Sequence, residues 1–108
     1  QTQGAVQMGC GAALREQYTY DAKGRPVSSL SKYHLMNAPD LPDIRVELIQ
    51  DGRSQEGPFG AKSIGEIGMA PVAAAVAGAV NQALDADLQV IPMDPDRVLE
   101  YIAKRGES

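Results

Sequence analysis

At 108 residues the chain has the size of one domain or of one part of a larger domain. Hydrophobic residues make up 44% and aromatics only 5%; many apolar positions are alanine, so a self-sufficient core would be thin and the chain is expected to pack against more protein. The net charge of -4, with ten scattered basic residues, argues against an electrostatic nucleic-acid surface.

Residues 1–18 read as a helix with a small-residue face of Gly4, Ala5, Met8, Gly9, Ala12 and Ala13. Glycine costs roughly 1 kcal/mol in an exposed helix, so these glycines imply close approach of another backbone or of a ligand. Residues 19–29 resemble a hairpin, with Asp21-Ala22-Lys23-Gly24 as its turn and Pro26 weakening the second arm. Residues 31–42, with two prolines and no clean period, read as an irregular excursion. Residues 43–51 alternate as a strand, Ile44, Val46, Leu48 and Gln50 against Arg45, Glu47 and Ile49.

From Gly52 and Arg53 a loop runs to Gly68, and a second helix is expected over 70–84, with Pro71 in its first turn. Almost every residue of that helix is Ala, Val or Gly, so it should be buried on most sides. No apolar run approaches the ~18 residues of a membrane span, because Asp85 and Asp87 close this stretch. Residues 88–91 read as a short strand. Asp94-Pro95 then opens a last helix through Lys104, with Val98, Leu99 and Ile102 on one face. The fold class expected is α+β, helices packed on a small mixed sheet.

The segment Gly57-Pro58-Phe59-Gly60-Ala61-Lys62-Ser63-Ile64-Gly65-Glu66-Ile67-Gly68 carries the chemistry. Such a loop exposes backbone N–H groups, admits a ligand close to the main chain, and feeds a helix N-terminus that favours negative charge. If buried, it would hold one carboxylate, Glu66, at a defined position. The Walker spacing is absent, since Lys62-Ser63 follows alanine. On chemistry alone the loop is either a ligand loop or a dipole-compensating helix entry.

Ala61-Lys62-Ser63-Ile64-Gly65-Glu66 before an alanine-rich helix resembles the active-site loop of the xanthine dehydrogenase/aldehyde oxidase family, which reads approximately Ser/Ala-Lys-x-Val/Ile-Gly-Glu. The opening Gln1-Thr2-Gln3-Gly4-Ala5 with Gly9-x-Gly11 is similar to the family's Gln-x-Glu-Gly-(Ala/Gly) segment with its later Gly-x-Gly. Tyr33-His34-Leu35-Met36 and Asp43-Ile44-Arg45-Val46-Glu47-Leu48 fit the same order, so the likeness spans nearly the whole chain. Two departures stand out: Ile67-Gly68 where the family often has proline, and Gln3 where it usually has an acid.

The resemblance implies that residues 1–108 are one C-terminal segment of the molybdopterin-binding domain of a larger catalytic subunit. It implies a molybdenum hydroxylase that oxidises an electron-poor carbon of an N-heterocycle or aldehyde with water-derived oxygen. Glu66 is then the base on the Mo–OH group. Gln1, Lys62, Ser63 and Gly65 match positions that contact the pterin, whereas the direct metal ligands come from the pterin and none from this chain. Iron–sulfur (2Fe-2S) and FAD partners are expected on other domains or subunits, with a small-molecule substrate. The polar start, Gln1-Thr2-Gln3-Gly4, lacks an initiator methionine and is expected to lie within a longer protein.

The remaining candidates read as structural. His34 is the one histidine and has no companion ligand. Cys10 is alone, excludes an internal disulfide framework, fits a cytoplasmic compartment and reads as a small buried hydrophobe. Tyr18, Tyr20 and Tyr33 read as hairpin packing, and the last helix as a solvated face or subunit contact. The alternative function is a non-catalytic scaffold that keeps the fold without cofactor.

Overall fold

The computed structural model describes residues 1–27, 29–50, 52 and 55–106. Three α-helices carry the architecture, α1 over Thr2–Leu14, α2 over Val72–Leu84 and α3 over Pro95–Gly106. Short 3-10 turns lie at Ala38–Asp40 and Pro58–Gly60. α1 stops at Leu14, short of the predicted Tyr18. The N–H groups of Arg15 and Glu16 both donate to Gly11 O, at 2.9 Å each, and Arg15 leaves helical geometry with φ -143°. Glu16 then folds back over Gly11, where a Cβ would stand 2.0 Å from its Oε1. The same carboxylate accepts the Tyr33 hydroxyl at 2.8 Å. That hydrogen bond raises the tyrosine pKa above its ordinary value.

α1 packs on α2, and the glycine face explains how. A Cβ on Gly9 would lie 2.4 Å from Val72 Cβ, so the close approach expected of the α1 glycines is realised at Gly9, against the first residue of α2, but not at Gly4, which has nothing within 4 Å. The buried apolar side chains follow α1: Ala5, Cys10 and Ala13, joined by Met36 and Met93. Cys10 thus packs as the small hydrophobe expected. Met93 N–H donates to Ala13 O at 2.7 Å, tying the approach to α3 onto the end of α1.

The hairpin forms. Tyr20 and Pro26 bridge antiparallel, with Val27 N–H to Thr19 O and Asp21 N–H to Arg25 O at 2.9 Å each. The bridge uses N–H groups of the flanking residues, so the donor that Pro26 lacks is not needed there. Asp21 Oδ1 accepts the N–H groups of Lys23 and Arg25, and Gly24 takes φ 73° to complete the turn. Tyr18 stacks obliquely on Tyr20 and Tyr33, with ring centroids 6.4 and 5.8 Å apart.

The predicted sheet is not seen among the described residues. Residues 43–50 and 88–90 form no ladder among the described residues, and Asp51 of the first predicted strand lies outside them. A strand needs a neighbour to satisfy its backbone, and period-two alternation cannot supply one. At Leu88 a side chain takes that part: Asn81 Nδ2 donates to Leu88 O at 3.0 Å, and Asn81 Oδ1 accepts Leu88 N–H at 2.8 Å. The burial expected of α2 is corrected too, since none of its residues is buried.

α3 starts as its sequence predicts, Asp94 Oδ1 accepting Arg97 N–H at 3.0 Å. Of its expected apolar face, Leu99 and Ile102 remain exposed. Arg105, near its end, donates to the carbonyls of Leu84 and Asp85 and to Asp85 Oδ2. A cation thereby covers carbonyls at the C-terminus of α2, where left-handed Asp85 ends the helix. The radius of gyration is 18.1 Å, against about 13 Å for a compact chain of this length. Much of the surface is therefore wrapped around no core of its own, as the thin apolar content led us to expect.

Candidate functional site

The glycine-rich loop turns sharply before it reaches the candidate carboxylate. Gly57, Phe59 and Gly60 all have positive φ, at 79°, 57° and 68°, and Phe59 projects fully into solvent. From Ala61 the chain runs without regular structure to a turn at 65–71, where Met69 N–H donates to Glu66 O at 3.0 Å and Val72 N–H to Met69 O at 3.1 Å. Pro71 caps α2 with no side-chain hydrogen bond, and the first turn of α2 holds no acidic residue. The positive end of that helix is left without a carboxylate of its own.

Two contacts join this turn to the start of α1. Gln1 Nε2 donates to Gly65 O at 2.8 Å, across 64 positions of sequence. Gly68 seats against α1, where a Cβ would meet Ala5 Cβ at 3.1 Å and Thr2 Cγ2 at 3.7 Å. Gln1, Gly65 and Glu66, singled out separately along the sequence, are thus brought into one place. Glu66 lies between Gly65 and Gly68 in sequence, and its carboxylate makes no hydrogen bond or ion pair among the described residues.

Lys62 and Ser63 lie on the same loop, and their N–H groups and that of Gly65 donate to no carbonyl among the described residues. Lys62 forms no ion pair there. Gln1, Lys62, Ser63, Gly65 and Glu66 are all exposed. In this chain the loop is exposed, and beyond the start of α1 nothing among the described residues covers it. Sequence reasoning named Gly68 as the end of the motif but missed its contact with α1. It missed Asn81 and Arg105, polar side chains whose backbone partners leave no pattern.

A concavity of about 590 Å³ opens away from the loop, between the end of α1, the hairpin and the start of α3. Leu14, Arg15, Lys32, His34, Asp94 and Asp96 line it, and none of the loop residues does. Arg15 is already paired there with Asp40, at 3.0 and 3.4 Å. No cluster of three metal-ligating side chains occurs among the described residues, and no helix among them is long and apolar enough to cross a membrane.

No family model matches the chain. Individual proteins do. It is 35% identical over 98% of its length to a putative xanthine dehydrogenase molybdenum-binding subunit of Escherichia coli strain K12. It is 34% identical over 88% of its length to the gamma subunit of the 6-hydroxypseudooxynicotine dehydrogenase complex of Paenarthrobacter nicotinovorans. An aldehyde oxidoreductase molybdenum-binding subunit of Escherichia coli strain K12 is 33% identical over 92% of the chain. The crystal structure of quinoline 2-oxidoreductase from Pseudomonas putida 86 superposes on 91% of the chain, with a TM-score of 0.74 and 31% identity. The chain spans only 12–14% of the length of these curated relatives and 13% of the crystallised one. With identities of 33–35% running through nearly all of it, the chain belongs, as a segment, to the family of molybdenum-binding subunits of xanthine dehydrogenases and aldehyde oxidoreductases.

Proposed function

We propose that the chain is the C-terminal segment of a molybdenum hydroxylase subunit and that Glu66 is the general base of the reaction. The observation that carries this reading is the convergence of Gln1, Gly65 and Glu66 through the 2.8 Å bond from Gln1 Nε2 to Gly65 O. The substrate class is an N-heterocycle or aldehyde with an electron-poor carbon, and the oxygen delivered is derived from water. A molybdenum–pterin cofactor, when bound, supplies the redox change and activates that oxygen.

The donor set of the loop fits such a group. The N–H groups of Lys62, Ser63 and Gly65 have no carbonyl partner among the described residues, and the Lys62 ammonium has no carboxylate partner. Together they suit an anionic, hydrogen-bond-accepting ligand. Gln1 keeps its Oε1 for a further bond while Nε2 is engaged with Gly65. Glu66 accepts the proton of the attacking oxygen at its carboxylate, which no other group among the described residues holds. The rest of the subunit covers the loop, excludes water, supplies the neighbours of the predicted sheet and shapes the substrate pocket. Iron–sulfur and flavin centres on other domains or subunits carry the electrons away.

The test is Glu66→Gln in the complete subunit. Removing a general base lowers turnover roughly 10²- to 10⁴-fold, with molybdenum content and thermal stability unchanged. Turnover at the wild-type level in a fully loaded variant would remove Glu66 from the mechanism. A complete subunit that holds no molybdenum would favour the scaffold reading.

A further inference from the structure

Among the described residues no hydrogen bond or ion pair holds the Glu66 carboxylate, so its position is set by the backbone on either side. That backbone is gripped twice by one element. On the N-terminal side the amide of Gln1 holds Gly65 O at 2.8 Å. On the C-terminal side the bare Cα of Gly68 sits where a methyl group would approach Ala5 Cβ to 3.1 Å, and Ala5 is wholly buried. Both contacts come from the first turn and a half of α1, and Met69 N–H closes the turn on Glu66 O at 3.0 Å.

We propose that the start of α1 is a clamp on the Glu66 turn, with Gln1 and Gly68 as its positioning residues. The inference rests on Glu66 as the base. Gln1 acts through Gly65, independently of any contact that its Oε1 makes with a cofactor. Gly68 lets the turn lie flush on the helix, because a Cβ there would crowd Ala5 and shift the turn by a few tenths of an ångström. A shift of 1 Å in a catalytic group is enough to slow a reaction about 10²-fold, so both contacts govern kcat although neither touches substrate.

The experiment uses the complete subunit carrying Gln1→Ala, Gly68→Ala, or Gly68→Ala with Ala5→Gly. Amide exchange at Met69 reads the clamp without turnover; kcat, KM and molybdenum content read its use. In Gln1→Ala and in Gly68→Ala, exchange at Met69 rises about three- to tenfold. At near-constant KM, kcat falls about ten- to hundredfold in Gln1→Ala and, for the smaller shift, about two- to tenfold in Gly68→Ala. Removing the Ala5 methyl makes room for the one introduced at position 68, so the double variant recovers both readouts. Unchanged exchange at Met69 in both single variants overturns the clamp, as does a double variant no better than Gly68→Ala. If Glu66→Gln abolishes turnover while Gln1→Ala loosens the turn and leaves kcat intact, the positioning role fails and the base stands. If Glu66→Gln is active, the base fails, and faster exchange at Met69 still supports the clamp.

Discussion

Gly9→Ala tests the packing of α1 on α2 with a single methyl group. Ordinary contacts of a Cβ begin near 3.4 Å, and the new one would stand 2.4 Å from Val72 Cβ and 2.7 Å from Val72 Cγ1. The atom it meets is fixed to the α2 backbone, so rotation of a side chain gives no relief and α2 must withdraw by about 1 Å. Overpacking of this kind costs up to about 3 kcal/mol, whereas alanine in a helix regains about 1 kcal/mol over glycine. The balance is a loss of about 2 kcal/mol, confined to the joint between the helices. Amide exchange measured on the complete subunit should therefore quicken roughly thirtyfold at Val72 and Ala75, whose N–H groups bond Met69 O and Pro71 O at the start of α2. Val72→Gly in the Gly9→Ala background should restore the rate, while Val72→Ala, which keeps the offending Cβ, should not. Wild-type exchange in Gly9→Ala, or equal rescue by both second substitutions, would refute the reasoning.

Asn81→Ala removes both bonds to the Leu88 backbone and leaves that partly buried donor and acceptor unpaired; a cost of about 2 kcal/mol should appear as exchange at Leu88 roughly thirtyfold faster. In Asp40 the carboxyl pKa is held below its ordinary 3.8, first by the Asn37 N–H and then by Arg15. Its folded pKa is the lower one, so its stabilising contribution is complete above the unfolded value of about 3.8 and is lost as pH falls through the folded value. A carboxyl titration followed by NMR should show that lowered midpoint, and Arg15→Ala should move it part of the way back, the Asn37 share remaining.

What the sequence made legible was local. The hairpin follows from Asp21 and Gly24, whose turn chemistry acts within five residues, and the three helices follow from periodicity, Pro71 and the Asp94 cap. The strand expected at 43–51 and the sheet were not legible in the same way. Alternation says that a segment can lie in a sheet, but the neighbour must come from elsewhere, and the described chain holds none. The composition of α2 announced burial, yet α1 covers it only in part and none of its residues is buried. At the site, the motif located Glu66, Gly65 and Gln1, but the bond joining the last two spans 64 positions and has no sequence pattern. A glycine in a helix signalled that something must come close to Gly9; only the structure names Val72.

Three amides, one on the N-cap of α1 and two on the helix, reach different parts of the chain: Gln1 to Gly65 O, Gln3 to Ile44 O and Gln7 to Met36 O. An α-helix advances 100° and 1.5 Å with each residue, so these side chains work as pegs at fixed angles on a rod. Substitution elsewhere on the rod leaves the pegs aligned. Adding or deleting one residue between Gln1 and Gln7 would swing at least one peg away from its carbonyl. The helix is thus constrained in residue count as well as in composition, and the loops that carry the candidate chemistry take their spacing from it.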